Sequence, residues 1–176
     1  MLKWKLFFTI NLLFLVGMNL NAQSKYVGAD KCKMCHNSPA KGEQYKHWQN
    51  TKHSKAFQTL SSPEAIEYAK NNGIADPAKE PKCLSCHCTA AMIDKALIET
   101  LPLEEGVTCE SCHGPGSIYK SMNIMKDKEL AIKNGLIMPT EKVCETCHTK
   151  VGNPFFRPFD YEKMKSIIAH PNPTKK

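Results

Sequence analysis

Residues 107–116 read Val107-Thr108-Cys109-Glu110-Ser111-Cys112-His113-Gly114-Pro115-Gly116, and inside them lies C-x-x-C-H, the pattern that attaches a c-type haem. The spacing has a mechanical reason. Two cysteines three apart lie on one side of a helical turn, so both thiols reach the two vinyl groups of one porphyrin. The histidine follows at once, and its imidazole meets the iron from the proximal side. The pattern recurs at Cys32, Cys35 and His36, at Cys83, Cys86 and His87, and at Cys144, Cys147 and His148. Eight of the nine cysteines and four of the seven histidines are spent in this way. Paired C-x-x-C motifs also build zinc ribbons, iron–sulfur sites and thioredoxin-like redox sites. None of those needs a histidine directly after the second cysteine, still less four times over. Four covalently attached haem c groups are the reading that fits.

Working outward, the 176-residue chain is long enough for one domain. Large apolar residues are thinly spread, with seven Phe, two Trp and five Tyr, and four porphyrins would supply the missing apolar surface. The expected fold is mainly α, irregular and loop-rich, a multihaem cytochrome with the haems forming its core. Residues 1–22 read as a secretory signal: Lys3 and Lys5 form a basic start, residues 6–16 an apolar run, and Asn21-Ala22 a cleavage site. That leaves residues 23–176 as a single cytochrome domain in the periplasm, where c-type haems are attached. Membrane association is expected only if the signal stays uncleaved, and its apolar run is short for a full span.

Removing the two signal lysines leaves 22 basic against 17 acidic residues, almost all the basic ones lysine, with Arg157 the single arginine. Scattered lysines of this kind offset haem propionates and keep a surface solvated. No basic–aromatic stripe points to nucleic acid.

After the first motif, residues 42–60 show helical periodicity, with Tyr45, Trp48, His53, Ala56 and Leu60 on one face. This turns His53 inward as an iron ligand and His47 outward into solvent. Ser62 and Pro63 start a further helix, which residues 71–73 stop. Cys83 and Cys109 lie 26 positions apart, so their two haems are expected close together on a hairpin-like segment. Cys88 reads as an unpaired buried thiol. Residues 117–134 read as one helix ended by Gly135, with Met122 and Met125 on the face of Ile118. Methionines at that spacing serve either packing or iron ligation. The last helix, 160–169, is followed by His170 at the edge of its apolar face.

Four proximal histidines leave only His47, His53 and His170 for the distal sides, so at least one haem lacks a distal histidine. An empty distal side lets a small molecule bind iron, whereas a sixth protein ligand favours electron transfer.

These residues together resemble the cytochrome c-554 family of tetrahaem cytochromes. The resemblance runs from Gly28 and the first motif through Tyr45, Trp48, Thr51, His53, Ala56 and Leu60, then through residues 106–116. It ends at the fourth motif, Pro158, Phe159, Met164 and His170. The resemblance implies a mainly helical fold with closely packed haem pairs. It implies His170 opposite His36, His53 opposite His113, and a five-coordinate haem on His87. The distal histidine for His148 would come from just after Gly114-Pro115-Gly116, where this chain has Tyr119, Met122 and Asn123 instead; Met122 then stands as the substitute ligand. The functional expectation is a periplasmic tetrahaem carrier passing electrons between other periplasmic or membrane-bound redox proteins. The alternative is a small nitrogen-oxide (NO-type) reductase acting at an open haem on His87 or His148, for which the sequence offers no proton donor.

Overall fold

The structure, a computed structural model, describes residues 23–173. Among these, nine short α-helices are joined by loops and 3-10 turns, and the extended backbone is limited to an isolated bridge between Tyr26 and Ile98. The helices are α1 Ala29–His36, α2 Gln44–Gln49, α3 Pro63–Asn71, α4 Pro81–His87, α5 Cys109–His113, α6 Met122–Met125, α7 Lys128–Lys133, α8 Glu141–Glu145 and α9 Tyr161–Ile168. The mainly helical, loop-rich expectation holds. The signal segment, residues 1–22, lies outside the described residues.

Side-chain caps set several of these boundaries. Ser62 Oγ accepts the Ala65 N–H at 3.2 Å, with Pro63 in the first turn of α3. Asp160 and Asp127 cap α9 and α7 through Lys163 N and Leu130 N. The Asp127 cap corrects one sequence expectation: residues 117–134 do not form one helix. The chain turns through 117–120, and α6 and α7 are separate.

A second long helix also breaks. α2 ends at Gln49, because Thr51 Oγ1 donates to Trp48 O at 2.7 Å and Ser54 Oγ to Gln49 O at 2.9 Å. Small hydroxyl side chains that bond nearby carbonyls compete with helix continuation. The break gives His53 a backbone position of its own. Its carbonyl accepts Val107 N–H at 3.0 Å, while the Trp48 indole N–H donates to Val107 O at 2.8 Å. Residues 48–53 therefore clasp the segment leading into the third motif.

Buried apolar residues are few and mostly modest in size, namely Val27, Ala29, Tyr45, Leu60, Ala69, Leu84, Cys88, Leu101, Tyr119 and Ala131. A polypeptide of this length that folded around side chains alone would bury a much larger apolar set. Met34, Val151, Phe155 and Ile167 stand more than 60% exposed. The side chains leave the interior to be completed by other apolar surface, as the sequence expects of haems.

Candidate functional site

Three of the four motif histidines end a helix: His36 closes α1, His87 closes α4 and His113 closes α5. At each, Nδ1 is held by an oxygen of the protein. His36 Nδ1 donates to Gln44 Oε1 at 3.2 Å, His87 Nδ1 to Ala56 O at 2.7 Å, and His113 Nδ1 to Ile137 O at 3.0 Å. Thr59 Oγ1 lies a further 3.0 Å from His87 Nδ1. A proton fixed on Nδ1 leaves the Nε2 lone pair free and fixes the ring orientation, which is the arrangement of a metal-binding imidazole.

The remaining histidines are brought to these rings from far along the chain. His53 and His148 have ring centres 6.1 Å apart, and His113 and His170 5.9 Å apart. Two imidazoles bonded to opposite sides of one metal, at about 2 Å each, hold their centres about 6 Å apart. The residues present therefore fit iron held between two histidines at both places. The pairing differs from the one the resemblance implies. His170 stands beside His113 and not His36, and His53 stands beside His148 and not His113. The reason is the clasp described above: with α2 broken, His53 leaves the helical face it would share with Tyr45. Phe159 stacks on His148 at 4.6 Å and steadies that ring. Neither His36 nor His87 has an imidazole partner at such a spacing among the described residues.

The surroundings also favour the neutral, metal-binding form of these histidines. Desolvation, with His148 alongside, pushes His53 below the ordinary imidazole value. Desolvation lowers His113, its bond to Ile137 opposing and the nearby His36 adding to the effect. His170 is lowered by desolvation first, then by His113 and His47, and His148 by desolvation.

The attachment sulfurs of different motifs meet one another. α1 packs on α5, and Cys32, with burial, pushes the Cys109 thiol up. Burial, with Cys144 nearby, raises Cys112 to about 11. Burial and Cys86 raise Cys147 to about 11. The first motif thus adjoins the third, the third the fourth, and the fourth the second. The second and third are also tied through the backbone, as the hairpin expectation requires. Thr89 N–H donates to Gly106 O at 2.9 Å, and Thr89 Oγ1 lies 2.6 Å from Ser111 Oγ. Among the described residues no group of three or more His, Cys, Asp or Glu is arranged to hold a metal ion, and no disulfide joins any two of the cysteines. The cysteine pairs do not converge as a tetrahedral zinc site would need.

The other residues singled out in the sequence fall as follows. Cys88 is fully buried against Leu60 and Leu84, its thiol donating to Leu103 O at 3.1 Å, as an unpaired core thiol should. Met122 is 75% exposed on α6, and the place beside His148 is taken by His53. His47 does not point into solvent: its Nε2 is buried.

Sequence reasoning missed Glu110, the residue after Cys109. Its carboxylate is 1% exposed and accepts N–H bonds from Val27 at 3.0 Å, Gly28 at 2.8 Å and Gly116 at 2.7 Å. It ties the start of the domain to the Gly-Pro-Gly turn behind the third motif. Gly28 is held at φ +82° directly before α1, where a Cβ would come 2.6 Å from Thr100 O. Glu105 reaches the same corner and accepts Ala29 N–H at 2.7 Å. An acid inside a C-x-x-C-H motif, next to a rigid glycine turn, is the signal that pointed to Glu110.

The family described as cytochrome c554 and c-prime matches residues 31–114. Cytochrome c-554 of Nitrosomonas europaea is 33% identical over 150 residues, covering 75% of this chain; the chain spans 61% of that relative's length. A solved structure of the reduced state of cytochrome c554 from Nitrosomonas europaea aligns at 26% identity and a TM-score of 0.49, over 83% of this chain and 79% of that one. Four attachment motifs, histidines held by protein oxygens and the sequence match point the same way: the chain is similar to the cytochrome c-554 family of c-type cytochromes, and the group its motifs are built to hold is covalent haem c.

Proposed function

We propose that residues 23–176 form a single periplasmic tetrahaem domain that passes electrons between other redox proteins. The observation that carries this reading is the adjacency of the attachment motifs: α1 packs on α5, α5 packs on α8, and Cys147 Sγ reaches Ser85 O of α4 at 4.0 Å. Groups tethered at neighbouring motifs would be held side by side, and the order first, third, fourth, second would be their path along the domain. Bound haem supplies the one-electron iron chemistry, with potentials set by axial ligands, hydrogen bonding and burial.

The chain's own residues supply the rest. The eight motif cysteines tether the groups. His36, His87, His113 and His148 would bind the iron as motif ligands, and His53 and His170 would supply the second imidazole at His148 and His113. Gln44, Ala56 and Ile137 fix three of the rings by their Nδ1 protons. Two protein ligands at an iron exclude other molecules from it, which suits a carrier. The periplasmic placement follows from the secretory reading of residues 1–22 together with the covalent haem chemistry. No helix among the described residues is long and apolar enough to cross a membrane.

A pyridine haemochrome spectrum with intact mass tests the reading. Protein made where haem c is attached should carry four haems, and a mass equal to the bare polypeptide would overturn it. Steady turnover of NO by the reduced protein would replace the carrier with the reductase alternative.

A further inference from the structure

The segment that follows His53 winds in tight turns against the second motif. Ala56 N–H donates to His53 O at 3.2 Å, Thr59 N–H to Lys55 O at 3.2 Å and Leu60 N–H to Phe57 O at 3.1 Å. Leu60, 4% exposed, packs with Leu84 and Cys88, and Phe57 and Cys83 close over the contact. Leu84 lies in α4 one helical turn before His87, so this apolar contact sets the oxygens of the turn against the ring. Three distances then close a triangle. His87 Nδ1 is 2.7 Å from Ala56 O and 3.0 Å from Thr59 Oγ1, and the Thr59 hydroxyl donates to Ala56 O at 2.6 Å. A carbonyl oxygen carries two lone pairs, so Ala56 O accepts the ring proton and the hydroxyl proton together. A hydroxyl that donates its own proton is the better acceptor, and the Thr59 oxygen keeps its lone pairs for the ring N–H. The other two helix-ending histidines each meet one oxygen, Gln44 Oε1 at 3.2 Å and Ile137 O at 3.0 Å. Of the three rings, His87 has the nearest acceptor and alone has a second.

We propose that Thr59 is a positioning residue for iron ligation at the second motif: its hydroxyl shares the Nδ1 proton of His87 with Ala56 O, orients the ring and strengthens Nε2 as a donor to iron. The inference rests on the reading that this motif carries a haem. The further the Nδ1 proton is drawn toward oxygen, the more electron density the ring offers at Nε2, and the more the ferric state is favoured over the ferrous. The proton stays on Nδ1, and no covalent bond is made or broken. The effect falls on a ring that, among the described residues, has no second imidazole facing it at the spacing of His53 with His148 or His170 with His113. The donor strength of His87 is therefore not shared with a partner histidine.

The test uses the haem-loaded protein. Thr59→Val keeps the shape of the side chain and removes the hydroxyl, whereas Thr59→Ser keeps the hydroxyl. In a spectroelectrochemical titration Thr59→Val should move one haem toward the ferrous state by about threefold, the small end of what one hydrogen bond contributes, or about 30 mV at about 59 mV per tenfold for one electron. The shift is modest because Thr59 is exposed and water reaches the vacated place. Thr59→Ser should keep the wild-type potential. Resonance Raman spectra of the reduced protein should show an iron–histidine stretching band at lower frequency in Thr59→Val and unmoved in Thr59→Ser. Combined with Gln44→Leu, which acts at His36, Thr59→Val should leave two haems shifted and not one shifted twice. The proposal is overturned if no potential moves in Thr59→Val, if one falls, if Thr59→Ser shifts as far as Thr59→Val, or if the double variant moves a single haem. Loss of haem from the mass of Thr59→Val also overturns it, since Thr59 would then serve attachment and not donor strength. A wild-type peptide containing Cys83 and Cys86 that carries no haem would mark failure of the haem reading, distinct from failure of the role given to Thr59.

Discussion

Glu110→Gln, set beside Glu110→Ala, examines the corner that joins the start of the domain to the third motif. In the native protein one carboxylate oxygen receives Gly116 N–H at 2.7 Å, the other receives Gly28 N–H at 2.8 Å, and Val27 N–H is 3.0 Å from both. A glutamine of the same shape has one acceptor oxygen. Turned one way it keeps Val27 and Gly28 and sets its NH2 against Gly116; turned the other way it keeps Val27 and Gly116 and opposes Gly28. Either way one buried amide is orphaned, and the two remaining bonds lose their charge assistance. An unsatisfied buried donor costs about 1–3 kcal/mol, so Glu110→Gln should destabilise by about 2–3 kcal/mol. Alanine orphans all three amides and leaves a void, for a loss of about 4–6 kcal/mol. Guanidinium unfolding of the haem-loaded protein followed by circular dichroism measures both. Amide exchange should show either Gly116 or Gly28 accelerated in Glu110→Gln, and both in Glu110→Ala. The reasoning fails if Glu110→Gln costs under about 0.5 kcal/mol, or if the alanine variant is no worse than the glutamine.

Three further outcomes are expected. Gly28→Ala combines a strained φ of +82° with a Cβ 2.6 Å from Thr100 O, and should lose about 3 kcal/mol in the same unfolding assay. Gln44→Leu removes the acceptor for the His36 Nδ1 proton, makes that imidazole a poorer donor to iron, and should raise the reduction potential of one haem in a spectroelectrochemical titration while the other three stay in place. Cys88→Ala should keep all four haems by intact mass and cost about 1 kcal/mol, because the buried thiol packs on Leu60 and Leu84 and tethers nothing.

The attachment chemistry was legible in the sequence because it is local. A cysteine pair and its histidine lie within a single helical turn, so spacing alone states which thiols reach one porphyrin. The cap at Ser62, the start of the last helix at Asp160 and the helix stop at residues 71–73 were readable for the same reason. The breaks in the two longest expected helices were less visible, since hydrophobic periodicity runs across residues 50–54 and Asp127 while hydroxyl and carboxylate bonds to the backbone end the helices there. What the chain alone could not decide is which histidine faces which. His53 meets His148, and His170 meets His113, across long stretches of sequence. Those encounters depend on the clasp of residues 48–53 on Val107, the approach of Pro171 to Gln44, and a carboxylate that pins both ends of one corner. Covalent attachment depends on the reach of a single turn, whereas the pairing of distant histidines is chosen by long-range packing, and only the tertiary structure holds that choice.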